Sequence, residues 1–143
     1  MRINEMVEQV HQTAREKGWW NACAKRFLHA TKVPYELVEE DVKKLVPEKL
    51  CLIHSEISEA LEDYRNDEMA IVYENAKGVR VKAPLGEAHD LGYKPCGFPS
   101  ELADAVIRIA DLAGALGIDL EAAIVQKMSY NRQRPFRHGG KKA

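Results

Sequence analysis

The chain has 143 residues, 45% of them apolar and 30% charged, with a formal net charge of -1 and a pI of about 6.5. That length suits one domain, and the composition is that of a folded soluble chain. A charge so close to neutral excludes the broad basic field that a nucleic-acid polymer needs as its partner. Cys23, Cys51 and Cys96 are odd in number, far apart and without a CxxC pair. This argues against a disulfide framework or a structural zinc site and for reduced thiols in a cytoplasmic protein. The opening Met1-Arg2-Ile3-Asn4-Glu5 has no signal-peptide core, and no run approaches the ~18 apolar residues of a membrane span.

In chain order, Met6, Val7, Val10 and Ala14 recur at helical spacing within Asn4–Lys17, and Gly18 reads as the stop. Trp19-Trp20 follows. A weaker helical stretch runs from about Ala22 to Ala30 and is interrupted by Pro34. Glu36–Lys44 reads as another short helical piece. Pro47 suits the first position of a strong helix. Its stripe is Leu50, Ile53, Ile57, Leu61 and Tyr64, and its end falls near Asn66. Residues 67–97 break the rhythm with Gly78, Pro84, Gly86, Gly92, Pro95 and Gly97. They read as an insertion with two short strands, 71–73 and 79–81, around Asn75-Ala76-Lys77-Gly78. Pro99-Ser100-Glu101 starts the next helix, with Leu102, Ala105, Val106, Ile109, Ala113 and Leu116 as its buried stripe and Gly117 as its close. Asp119 caps a last helix whose inward residues are Leu120, Ala123, Ile124 and Met128. Pro135 ends that helix, and 136–143 form a loose basic tail. The expectation is one all-α domain over 1–143, a helical bundle with an insertion at about 67–97.

Glu56 and Glu59 are three apart on the Pro47 helix, as are Glu101 and Asp104 on the Ser100 helix. Each pair therefore shares a helix face. If the two helices lie side by side, four carboxylates converge and repel one another unless cations or protons neutralise them. Hard oxygen donors suit magnesium, with manganese as the alternative, and no His/Cys cluster points to a softer metal. Acidic residues at helical spacing also form ordinary solvated faces, and Glu62-Asp63, Arg108 and Asp111 extend the polar faces in just that way. Lys127, Asn131 and Arg134 fall at i, i+4 and i+7, which puts an ammonium, an amide and a guanidinium on one stripe. A solvated helix C-terminus favours cations there too.

Read together, these blocks resemble the MazG-like all-α nucleoside triphosphate pyrophosphohydrolases. Leu52-Ile53-His54-Ser55-Glu56-Ile57-Ser58-Glu59-Ala60-Leu61-Glu62 is similar to the first metal-binding helix of that family. Gly97-Phe98-Pro99-Ser100-Glu101-Leu102-Ala103-Asp104-Ala105-Val106-Ile107-Arg108-Ile109 is similar to the second. Lys127-Met128-Ser129-Tyr130-Asn131-Arg132-Gln133-Arg134-Pro135 matches its terminal Lys-x-x-x-Asn-x-x-Arg pattern, and His11 to Trp20 resembles the opening helix of one branch. The blocks keep the family's order. The gap between Glu59 and Glu101 is longer than in compact members.

The resemblance implies hydrolysis of a (deoxy)nucleoside triphosphate between the α and β phosphates, dependence on Mg²⁺, and a homodimer or homotetramer with sites built across subunits. Glu56, Glu59, Glu101 and Asp104 then bind metal jointly, and one glutamate, Glu59 ahead of Glu56, accepts a proton from the attacking water. Lys127 and Arg134 bind phosphates, Asn131 phosphate or sugar, and Trp20 stacks on a base. At least one of Trp19 and Trp20 is expected instead in the core or at a subunit contact. Lys17, Lys25 and Arg26 read first as surface cations and second as phosphate contacts, Tyr130 as packing, and His138 as part of the tail. His11, His29, His54 and His89 show no ligand pattern. Two alternatives stand beside this reading: a phosphoribosyl-ATP pyrophosphohydrolase, and a non-enzymatic helical oligomerisation or partner-binding module.

Overall fold

A computed structural model of the chain describes residues 1–23, 37 and 39–135, with backbone alone for Leu85. The weak helical stretch expected at 22–30, Pro34, Lys25, Arg26, His29 and the tail with His138 lie outside the described residues, apart from a 3-10 turn at Asn21–Cys23. The protein is mostly helical with a small sheet. Its elements are α1 (Ile3–Glu16), α2 (Glu39–Arg65), β1 (Val72–Glu74), β2 (Arg80–Val81), α3 (Leu85–Asp90), β3 (Lys94–Cys96), α4 (Phe98–Ala115) and α5 (Leu120–Gln133). No helix among the described residues is long and apolar enough to cross a membrane. The chain divides into two compact units, Met1–Val42 with Ala110–Ala143, and Lys43–Ile109.

In the first unit, the Glu5 carboxylate accepts the Arg2 N–H at 2.9 Å and satisfies a free donor at the head of α1. Gly18, at φ +83, ends the helix in the left-handed conformation that suits glycine. Val7, Ala110 and Ala113 form the core, with Ile3, Met6, Val10 and Leu120 packed around them. Asp119 caps α5 as expected, accepting from the Ala122 N–H at 2.9 Å. The Asn4 amide joins the same cap, donating to Asp119 at 2.9 Å, and its oxygen accepts from the Glu121 N–H at 3.2 Å. A Cβ on Gly114 would stand 2.6 Å from the His11 Cβ, so only glycine admits α1 there.

In the second unit, the expected hairpin is present. Tyr73 pairs with Val81 and Glu74 with Arg80. Asn75 makes the turn: its side-chain oxygen accepts from the N–H groups of Lys77 and Val79 at 2.9 and 3.1 Å. The insertion also holds α3 and β3. The second of these completes a sheet of order β2-β1-β3. A proline inside Lys94-Pro95-Cys96 hides a strand from sequence inspection, and an edge position is where a sheet tolerates it. At six residues, α3 is too short to show a period.

Two helix expectations need correction. Pro47 does not open a helix; it lies inside α2, which begins at Glu39 and runs unbroken to Arg65. Proline removes one hydrogen bond and crowds the preceding turn. Glu39, Glu40 and Asp41 in the first turn favour the helix N-terminus and help offset that cost. The predicted buried stripes are also largely outside. Leu50, Ile57, Leu61 and Tyr64 on α2 and Leu102, Val106 and Ile109 on α4 are exposed, as is Met128 on α5. Ala123 is exposed too. Only Ala105 and Ala113 of those stripes are fully buried. The buried positions of α2 are Val42, Lys49, Glu56, Ala60 and Asp63. Four of these recur every seven residues, two helical turns, on a face that is mostly polar.

Candidate metal centre

The two acidic helices contribute to one cluster. Carboxylate oxygens of Glu56 on α2 and of Glu101 and Asp104 on α4 lie within 4.8 Å of one another. The backbone at the head of α4 presents Glu101. Gly97 adopts φ +96, and its carbonyl accepts from the N–H groups of Ser100 and Glu101 at 2.8 and 3.2 Å. Glu56 and Glu101 are buried, and Asp104 is half-buried. Glu59 is exposed and stands outside the group of three.

The electrostatics follow from burial and like charge. Burial first, then Glu59, Asp104, Asp63 and Glu56, pushes the Glu101 carboxyl above the ordinary carboxylate range. Asp104 is pushed up as well, by burial and then by Glu56, while Arg108 and Lys94 pull the other way. The Arg108 guanidinium donates to Glu56 Oε1 at 2.5 Å. Oxygen-only donors at this spacing could hold a hard divalent cation such as magnesium or manganese.

Two residues of this region read from sequence as plain polar surface. Arg108 is a resident counter-ion of Glu56. Asp63 is buried, and its Oδ2 has no hydrogen-bond partner among the described residues. Asp63 lies seven residues after Glu56. That heptad spacing on one helix face was the available signal.

The remaining candidates lie in the first unit. Lys127, Asn131 and Arg134 are all exposed on or just beyond α5. Tyr130, expected in packing, is also exposed. The Lys127 ammonium lies 5.4 Å and the Arg134 guanidinium 5.6 Å from its ring centroid, an arrangement that cation–π attraction favours. Trp20 is fully buried. Its indole N–H donates to both oxygens of Asp111, at 2.8 and 3.1 Å, and His11 Nδ1 sits 2.8 Å from the same carboxylate. An indole so placed is an anchor of the unit and offers no face to a base, whereas its neighbour Trp19 is exposed. Cys23, Cys51 and Cys96 are free thiols, and burial raises the Cys96 thiol above its usual range.

No protein-family model, no curated protein and no solved structure matches the chain.

Proposed function

We propose that the protein is a magnesium-dependent nucleoside triphosphate pyrophosphohydrolase of the MazG-like all-α type. It cleaves a (deoxy)nucleoside triphosphate between the α and β phosphates, in the cytoplasm, to a nucleoside monophosphate and pyrophosphate. The observation that carries this reading is the meeting of Glu56, Glu101 and Asp104 from two separate helices, at positions the family resemblance assigns to metal.

A divalent cation held by Glu56, Glu101 and Asp104 would polarise the phosphoryl oxygens and acidify a water bound to it. Glu59, exposed and one turn from Glu56, takes the proton from the attacking water. The family resemblance gives Lys127 and Arg134 to the phosphates of the leaving pyrophosphate and Asn131 to phosphate or sugar.

The same reading includes a homodimer or homotetramer that completes a helical bundle. Its support is the exposed apolar row of α2, where Leu50, Ile57, Leu61 and Tyr64 are each about half exposed. Monomers rarely leave apolar patches of that length to water.

The test is a panel of canonical and modified nucleoside triphosphates, with and without Mg²⁺, with products resolved by ion-exchange chromatography. Monophosphate plus pyrophosphate, lost on removing Mg²⁺ and in a Glu56→Ala, Glu101→Ala double variant, is the expected result. Diphosphate plus orthophosphate would show that a different bond is cut. Turnover confined to phosphoribosyl-ATP would move the protein to that activity. No turnover by a folded protein would favour an oligomerisation or partner-binding module.

A further inference from the structure

The acidic centre has a second arginine behind it. Asp63 ends the buried polar face of α2, one turn beyond Glu59 and two beyond Glu56. Arg80 on β2 reaches it from the hairpin: one guanidinium nitrogen of Arg80 lies 3.5 Å from Asp63 Oδ1 and pairs also with the Glu68 carboxylate. Glu68 in turn holds both helices by its backbone. Its N–H donates to the Asp63 carbonyl at 2.8 Å, and its carbonyl accepts from the N–H of Phe98, the first residue of α4, at 3.0 Å. Glu101 follows three residues later. A continuous set of contacts therefore joins the end of α2, the hairpin and the head of α4.

We infer that Arg80 is a positioning residue of the acidic centre, tying the Asp63 end of α2 to the Glu68 strap so that Glu101 on α4 meets Glu56. This rests on the reading of that centre as a cation site. Asp63 adds negative charge close enough to act on Glu101, so the arginine also keeps a buried carboxylate beside the site paired. Groups behind the ligands commonly hold metal affinity in this way.

The inference predicts a sign that simple electrostatics does not. Removing a positive charge near a cation site should tighten cation binding, because repulsion falls. Loss of a positioning contact should weaken it. Manganese binding to the full-length protein, followed by calorimetry without nucleotide, separates the two. Arg80→Met is expected to weaken Mn²⁺ binding roughly tenfold, the lower end for lost outer-shell contacts. Both contacts of Arg80 run through one nitrogen. An ammonium can therefore make them, and Arg80→Lys should bind Mn²⁺ as the wild type does.

Combining Arg80→Met with Asp63→Asn removes the unpaired buried charge. It should restore the melting temperature while leaving Mn²⁺ binding weak, and it carries the same test if Arg80→Met alone fails to fold. Wild-type or tighter Mn²⁺ binding in a folded Arg80→Met protein overturns the inference. No Mn²⁺ binding by the wild type overturns the cation reading of the centre, and this inference with it. Nucleotide turnover enters neither outcome.

Discussion

The two units differ in how much charge they bury: Asp111 in the first, and Lys49, Glu56, Asp63 and Glu101 in the second. The first packs Val7 against Ala110 and Ala113, with further aliphatic side chains around them. The second buries Lys49, Glu56, Asp63, Ser100 and Glu101 beside Ala60 and Ala105, and it leaves Leu50, Ile57, Leu61, Leu102, Val106 and Ile109 of the same helices exposed. Burying charge is costly unless each group is paired or coordinated. Arg108 and Arg80 supply part of that pairing, while burial and neighbouring carboxylates push the Glu101 and Asp104 carboxyls above their ordinary values. The exposed apolar faces of α2 and α4 are the area that the proposed oligomer would cover.

The largest effect should therefore come from charging that outer face. Ile57→Asp or Leu61→Asp is expected to convert an oligomer into monomers, read by sedimentation velocity, with a lower melting temperature. The Val125→Asp change on α5, where no residue is buried, serves as the matched surface control. A monomeric wild type at micromolar concentration would remove the oligomer from the proposed function.

The next effect belongs to Gly97, where the sheet meets the head of α4. Its φ of +96 already disfavours any side chain, and a Cβ would lie 2.3 Å from the Ala70 carbonyl oxygen. Gly97→Ala should cost about 3 kcal/mol or more, from backbone strain and overpacking together. Chemical denaturation measures it, and weakened Mn²⁺ binding should accompany it because Glu101 moves with that turn. Gly114→Ala is the counterpart in the first unit, at about 1–3 kcal/mol, with Mn²⁺ binding unchanged. Trp20→Phe follows at about 1–3 kcal/mol, since it leaves the buried Asp111 carboxylate without its indole donor. Stability that is unchanged in that variant would show that the Trp20 contact to Asp111 contributes nothing to the fold.

This contrast also explains what could be read from the residues alone. Caps and stops are local, and so Asp119, Gly18, Gly117 and the Asn75 turn were legible. The acidic pairs were legible because three-residue spacing fixes a helix face. Burial was not. Periodicity identifies the apolar face of α2 and α4 but does not say whether its cover comes from the same chain, and here the polar face is the one turned inward. Trp20 illustrates the same limit: a tryptophan at a helix end looks alike whether it awaits a base or holds Asp111. The roles of Asp63, Arg80 and Arg108 depend on pairs 17 residues and 52 residues apart, which no local pattern connects.

The smallest effect sharpens the comparison through pH. Burial and neighbouring carboxylates raise the Glu101 carboxyl in the folded protein above its ordinary value of 4.5. As pH rises from there, the unfolded chain loses its proton first, so the folded state becomes relatively less stable until Glu101 itself ionises. The penalty then persists to neutral pH. Without divalent cations, Glu101→Gln should therefore be more stable than the wild type at pH 7, with the difference shrinking as pH falls toward 4.5. Asp119 in the first unit works the other way. Its bonds to Ala122 and Asn4 lower its carboxyl below 3.8, so its contribution is present above that value and is lost as pH falls through the lowered one. Melting temperatures of Glu101→Gln and Asp119→Ala across pH 3 to 8 should show these opposite slopes. Added Mg²⁺ should raise the wild type and leave Glu101→Gln nearly unmoved. A Glu101→Gln protein less stable than the wild type at neutral pH in chelator would mean that the Glu101 charge is already satisfied by protein groups, and that the second unit does not wait for a cation.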